Sequence, residues 1–74
     1  MDFGQAVDLL KKGERVARSG WNGKGMWLSH YQPESVYDGY EWYPFIVMKT
    51  ADDKVVPWLA SQTDVLAEDW VELE

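Results

Sequence analysis

The chain has 74 residues, no cysteine and one histidine, and its 13 acidic and 7 basic side chains give a net charge of −6. This length leaves room for one domain over residues 1–74, and the composition excludes disulfides, thiolate metal sites and an ordinary zinc site. The negative charge opposes DNA or RNA as a partner, because such polymers are bound through many basic groups.

A domain this small has a thin core, so further copies of the same chain are the expected source of additional stability. Five tryptophans, four tyrosines and two phenylalanines supply aromatic area for such contacts. No apolar stretch approaches the roughly 18 residues of a membrane span, and residues 1–3 lack the basic start of a signal peptide. We therefore expect a homo-oligomer in the cytoplasm, with no membrane partner.

Residues 2–12 are predicted to form an amphipathic helix. Their apolar side chains recur at spacings that share one helix face: Phe3, Ala6, Val7, Leu9 and Leu10. Asp2 and Gln5 have the spacing of a capping box at the N-terminal end. Gly13 is expected to take the left-handed conformation after the last turn.

A hairpin is predicted next, with one strand at residues 14–19 and the return strand at residues 26–31. Both segments alternate in polarity, as half-buried strands do. Residues 20–25 between them contain three glycines. The dipeptide Asn22-Gly23 predicts a tight hairpin turn, because both residues tolerate positive φ.

The centre of the chain is predicted to contain a loop and a second hairpin. Residues 32–43 combine turn formers with many aromatics, and we expect an ordered loop there. Residues 45–49 are almost continuously apolar, which predicts a strand covered on both faces. A polar turn then leads to an antiparallel partner at residues 55–60, where Pro57 indicates an edge strand or a bulge.

The C-terminal part predicts a short helix and a last strand. Ser61 or Thr63 is the expected cap of a helical turn at residues 63–67, and residues 70–73 close the chain as a strand. The predicted fold class is α+β: one N-terminal helix packed on an antiparallel sheet of about five strands, with a short helical turn near the C-terminus.

The standard catalytic arrangements are missing from the sequence. Ser29 and His30 are adjacent, so in a strand their side chains point to opposite faces, and no nucleophile-elbow motif is present. The glycines of residues 20–25 match neither the Walker nor the dinucleotide-binding spacing. The acidic pairs at residues 52–53 and 68–69 are more typical of solvated turns than of a cation site. We therefore predict that the protein is not an enzyme and has no cofactor and no metal.

The most informative cluster surrounds the glycine-rich turn. Tryptophan is uncommon in a turn, and two interpretations of Trp21 stay open. Its indole either folds back onto the core or a neighbouring subunit, or forms a stacking platform for a purine. In the second case Asn22 reads the base edge or a ribose hydroxyl, while Arg18 or Lys24 meets phosphate. Glycines such as Gly25 let backbone N–H groups approach that phosphate.

A second polar cluster lies in the C-terminal half. Helix capping accounts for Ser61, Thr63 and Asp64. Alternatively, Gln62, Thr63 and Asp64 present donors and acceptors that suit ribose hydroxyls and an adenine edge. Both interpretations can hold at once.

Three segments carry a resemblance to a known family. They are residues 20–26 (GWNGKGM), 48–52 (MKTAD) and 56–70 (VPWLASQTDVLAEDW). In these segments the chain resembles the Thoeris anti-defence protein 2 family, which consists of small phage and prophage proteins. The similarity extends over nearly the whole chain, and residues 32–43 are the part without a match.

The resemblance implies a protein that sequesters, without cleaving, a cyclic ADP-ribose signal made by TIR-domain proteins of the Thoeris defence system. It also implies a homotetramer with ligand pockets at subunit contacts, and some family members hold cyclic dinucleotides as well. The ligand-binding residues expected from the two polar clusters are Arg18, Trp21, Asn22, Lys24, Gly25, Gln62, Thr63 and Asp64.

Two other functions stay open at this point. One is a small hydrolase of nucleotide signals that uses His30 or a carboxylate with a metal. The other is a protein-interaction module that uses the aromatic residues 37–45 as an exposed patch.

Overall fold

One helix packs on part of one face of a five-stranded antiparallel sheet in the computed structural model, which describes residues 1–74. The elements in chain order are α1 (Phe3–Lys11), β1 (Arg15–Arg18), β2 (Trp27–Tyr31), β3 (Phe45–Lys49), β4 (Val55–Pro57), α2 (Gln62–Leu66) and β5 (Trp70–Leu73). The strand order across the sheet is β4-β3-β2-β1-β5. This arrangement confirms the predicted α+β fold class. Neither helix is long and apolar enough to cross a membrane.

The helix α1 begins and ends with the residues that the sequence indicates. The carboxylate of Asp2 accepts the backbone N–H of Gln5 at 2.8 Å, and the Gln5 side chain accepts the backbone N–H of Asp2 at 2.9 Å. This reciprocal pair is a capping box, which satisfies two amides that the helix itself leaves free. Gly13 follows the helix with φ of 89°, as predicted.

Both edges of the sheet are short strands. At one edge β5 pairs with β1 from Arg15↔Leu73 to Arg18↔Trp70. At the other edge β4 pairs with β3, and Pro57 lies on this edge strand, where its missing N–H costs no ladder hydrogen bond. The predicted edge position of Pro57 is therefore confirmed.

The connection between β1 and β2 differs from the predicted tight turn. It contains residues 19–26, and its positive φ lies at Gly25 (74°) rather than at Asn22 or Gly23. The preference of an Asn-Gly dipeptide is a local one, whereas this loop is shaped by contacts with distant parts of the chain. Those contacts are described with the candidate site below.

The core lies between α1 and the sheet, around Trp70. The fully buried cluster consists of Ala6, Leu10, Val16, Leu28 and Trp70. The Trp70 ring centroid lies 5.4 Å from that of Phe3, 5.5 Å from that of Trp21 and 6.1 Å from that of Trp58. Tilted and edge-on aromatic pairs at these distances stabilise a core beyond their buried area.

The other face of the sheet has no helix over it. Antiparallel register places Tyr31 opposite Phe45 and Val47 opposite Pro57 on this open face. Together with Val55 they line an apolar depression of about 440 Å³. Val47 is buried on this face, while Phe45, Ile46 and Met48 are partly exposed, so the single chain covers β3 incompletely.

Residues 32–43 contain no strand, as expected. A single bridge joins Tyr37 to Tyr40 across a turn in which Asp38 and Gly39 both have positive φ. Several aromatic side chains of this loop are largely exposed, and Tyr43 is 91% accessible.

Two glycines at opposite ends of α1 provide a test of this backbone. Replacing Gly13 by Ala should lower the free energy of unfolding by about 1 kcal/mol, because a Cβ atom is strained at positive φ. Replacing Gly4 by Ala should not destabilise, since the added Cβ makes an ordinary 3.4 Å contact and alanine favours a helix. Urea denaturation of both variants measures the difference. Equal effects would contradict the left-handed conformation of Gly13.

Candidate functional site

Arg18 joins three elements at one corner of the sheet. Its Nε donates to Oδ1 of Asp69 at 2.8 Å, and its Nη1 donates to Oδ1 of Asp64 at 2.9 Å. The guanidinium at the end of β1 therefore links the segment before β5 to α2. Its Nη2 has no hydrogen-bond partner in the chain. One cation facing two carboxylates leaves this cluster with a net negative charge.

Trp21 folds back onto the core, as the first of its two interpretations states. Its ring packs edge-on with that of Trp70 at 5.5 Å, and its indole N–H donates to Oδ1 of Asp64 at 3.4 Å. The side chain remains partly exposed. The glycine-rich loop is thereby held against the start of α2, so the two polar clusters of the sequence are neighbours.

Asp64 is the acceptor that connects these groups. Its Oδ2 accepts the Ser61 hydroxyl at 2.9 Å and the Ser61 backbone N–H at 3.3 Å, while Ser61 caps α2 by accepting the Asp64 N–H at 3.1 Å. With Arg18 and Trp21 on Oδ1, this carboxylate has four donors for about four lone-pair positions. Asp64 therefore has little capacity left for a further donor.

The electrostatics of the cluster favour its charged form. Hydrogen bonds to Asp69 and Asp64 raise the pKa of Arg18. Burial acts to raise the pKa of Asp64, but hydrogen bonds from Arg18, Ser61 and Trp21 outweigh it, so that this pKa lies below its ordinary value of 3.8. The hydrogen bond from Arg18 also lowers the pKa of Asp69.

The other candidate residues lie on the adjoining loop and helix with their side chains free. Asn22, Lys24, Gln62 and Thr63 are exposed, and none of their side chains forms a hydrogen bond or an ion pair. Gly25 is at the far end of the loop, where its carbonyl accepts the Lys49 ammonium at 2.8 Å. The structure thus joins Arg18, Trp21 and Asp64 directly. It places the other five residues further along the loop and in α2, without a side-chain hydrogen bond to these three.

Three residues outside the predicted set take part in this cluster. Ser61 and Asp69 hydrogen-bond to its members, and Gly20 donates its N–H to Oδ2 of Asp69 at 2.9 Å. The sequence suggested Ser61 only as a helix cap and Asp69 only as a turn residue. No local pattern marks the pairing of Gly20 with Asp69, since 49 residues separate them.

The cluster is partly buried and lines no depression of the single chain. The four depressions of the chain surface are lined by residues of 31–45, 47 and 55–57 instead. No three His, Cys, Asp or Glu side chains are grouped so that they would hold a metal ion. His30 is exposed, and its ring forms no hydrogen bond.

The fold and this corner define a small α+β protein with an arginine–carboxylate cluster beside a glycine-rich loop. The family model described as the Thoeris anti-defense 2-like domain matches residues 1–73. The protein Thoeris anti-defense 2 of Bacillus phage SP01 is 44% identical over an 86-residue alignment that takes in 95% of this chain and 91% of the relative. The chain belongs to the Thoeris anti-defense 2-like family, as its sequence motifs predicted, and its role is one of anti-defence.

The lowered pKa values of Asp64 and Asp69 predict how stability depends on pH. Because both groups titrate below 3.8 in the folded chain, the unfolded chain takes up their protons first as pH falls. Their contribution is complete above the ordinary pKa and is lost as pH falls through the lowered values. Asp69→Asn should therefore flatten the decline of the melting temperature below about pH 4. Thermal unfolding followed by circular dichroism measures the melting temperature as a function of pH. An unchanged slope in Asp69→Asn would contradict the ion pair of Asp69 with Arg18.

Proposed function

We propose that this protein binds a cyclic ADP-ribose-type signal of the Thoeris defence system and sequesters it without cleavage. The observation that carries the proposal is a partly exposed indole together with polar side chains of the glycine-rich loop and of α2 that form no hydrogen bond, in a member of the Thoeris anti-defense 2-like family. Sequestration needs tight binding and slow release rather than turnover.

The proposed ligand contacts are assigned to side chains that are not already hydrogen-bonded within the protein. The exposed part of Trp21 stacks on adenine. Asn22, Gln62 and Thr63 have free donors and acceptors for the base edge and ribose hydroxyls. Because Asp64 is fully hydrogen-bonded, its role in this proposal is to hold Trp21 rather than to contact the ligand.

The pyrophosphate is best met by Lys24. Arg18 already faces two carboxylates, so its charge is compensated. Lys24 has no ion-pair partner and lies in the glycine-rich loop. Gly25 beside it allows close approach of the backbone to phosphate. The net charge of −6 does not oppose such a ligand, since a small anion responds to the local field.

We further propose that the binding pocket is completed by another copy of the chain in a homo-oligomer, for which the family resemblance implies a tetramer. The polar corner of one chain is partly open to solvent, and closure by a second chain would exclude water and strengthen charge-assisted hydrogen bonds. The open apolar face of the sheet supplies area for contact between chains.

Binding can be tested by calorimetry with cyclic ADP-ribose isomers. Trp21→Ala should weaken binding by about 1–3 kcal/mol, because the stacking surface is lost. Tyr43→Ala is the control, since it removes an aromatic side chain that is 91% exposed outside the cluster. The unmodified ligand should be recovered after the complex is heated. A hydrolysed product would contradict sequestration, and His30→Ala would then show whether this histidine is responsible.

Assembly can be tested with a charge on the open face. Val55→Lys should shift the protein toward single chains, because Val55 lines the apolar depression, is 61% exposed, and an ammonium resists burial there. Leu59→Lys is the control, since Leu59 is 92% exposed outside that depression. Light scattering coupled to size exclusion gives the mass. A wild-type protein of single-chain mass would contradict the proposed assembly.

A further inference from the structure

We infer that Asp69 is a positioning residue, whose carboxylate fixes the start of the glycine-rich loop and so sets where Trp21, Asn22 and Lys24 lie for ligand binding. This inference rests on the function proposed above. Asp69 itself need not touch the ligand, because both of its carboxylate oxygens are engaged within the chain.

Asp69 contacts three consecutive residues at the end of β1. Its Oδ1 accepts the Nε of Arg18 at 2.8 Å, its backbone carbonyl accepts the N–H of Ser19 at 3.0 Å, and its Oδ2 accepts the N–H of Gly20 at 2.9 Å. The backbone bond to Ser19 extends the pairing of β1 with β5 by one step. The two side-chain bonds continue this attachment into the loop, immediately before Trp21.

Glycine is the residue that this contact permits at position 20, because it has no Cβ atom. A Cβ atom added to Gly20 would lie 2.6 Å from Oδ2 of Asp69, well inside the closest approach of such atoms. The carboxylate therefore occupies the space that any other residue at position 20 would fill. Glycine at this position and aspartate at position 69 are two halves of one contact.

The loop depends on this contact because few others define its course. The ladder between β1 and β2 aligns a single pair, Val16↔Leu28, so strand pairing does not determine the connection. Asn22 and Lys24 form no side-chain hydrogen bonds. At the far end the Lys49 ammonium binds the carbonyl of Gly25 at 2.8 Å. Without Asp69, the start of the loop would keep the hydrogen bonds of Trp21 to Asp64 and to the Arg18 carbonyl, and the packing of its ring on Trp70, but Gly20 itself would have no hydrogen bond.

A double-mutant cycle of Asp69→Ala and Gly20→Ala tests the inference. Each single variant should accelerate amide hydrogen exchange at Gly20 or its replacement and at Trp21 in the ligand-free protein. We expect each variant to leave about a tenth of the molecules with an ordered loop, which would weaken binding of cyclic ADP-ribose about tenfold. The double variant should bind no more weakly than Asp69→Ala, because the added methyl group then has no carboxylate to displace.

Two further variants separate positioning from general stability. Gly13→Ala strains the distant end of α1 and should lower the melting temperature while leaving affinity and loop exchange unchanged. Asp69→Asn has one acceptor oxygen, which serves either Arg18 or Gly20 but not both, and should give an intermediate increase in loop exchange. This variant decides the question if Asp69→Ala does not fold.

Wild-type affinity and loop exchange in Asp69→Ala would overturn the inference, as would fully additive losses in the double variant. A different result would count against the proposed function. If the wild-type protein binds no cyclic ADP-ribose isomer, the proposed function fails, while the exchange measurements in the ligand-free protein still decide whether Asp69 fixes the loop.

Discussion

The guanidinium of Arg18, held between two carboxylates, is the interaction on which this corner of the molecule depends. Asp64 and Asp69 come from α2 and from the segment before β5, and both direct an oxygen at the same side chain. Without a cation between them these carboxylates would repel each other. The planar fork of arginine serves both acceptors at once, whereas the ammonium of lysine lacks that fixed geometry.

This interaction fixes the positions of the three side chains but contributes little to the free energy of unfolding. The side chains of Arg18 and Asp69 are 17% and 32% exposed, and ion pairs near solvent add little to stability. Packing around Trp70 provides the stabilisation instead, since this ring is buried and contacts three other aromatic rings. Trp21 takes part in both systems, through its ring on Trp70 and its N–H on Asp64. The polar corner is therefore built directly on the apolar core.

Much of the fold could be predicted because its signals are local. The capping box of Asp2 with Gln5, the position of Gly13 and the edge position of Pro57 each follow from a few neighbouring residues. The prediction of a tight turn at Asn22-Gly23 was wrong because it also rested on a local signal. A dipeptide preference contributes little against the anchors at both ends of this loop.

The candidate site could be predicted only in part. The sequence suggested Arg18, Trp21 and Asp64, and the structure joins them through hydrogen bonds. It could not reveal Asp69, because the pairing of β1 with β5 brings it to Gly20 from the opposite end of the chain. As ligand-binding residues all eight candidates stay predictions, since hydrogen bonds within the chain explain the positions of Arg18, Trp21 and Asp64 without a ligand.

The two anchors of the glycine-rich loop also have an evolutionary consequence. Asp69 holds its first residue from the β5 side, and Lys49 holds its last residue from β3, so the distance to be spanned is set by the width of the sheet. A deletion between Gly20 and Gly25 would shorten the chain that has to span this distance. Changes of length within this lineage are therefore better accommodated in residues 32–43, which leave and rejoin neighbouring strands at the opposite end of the hairpin.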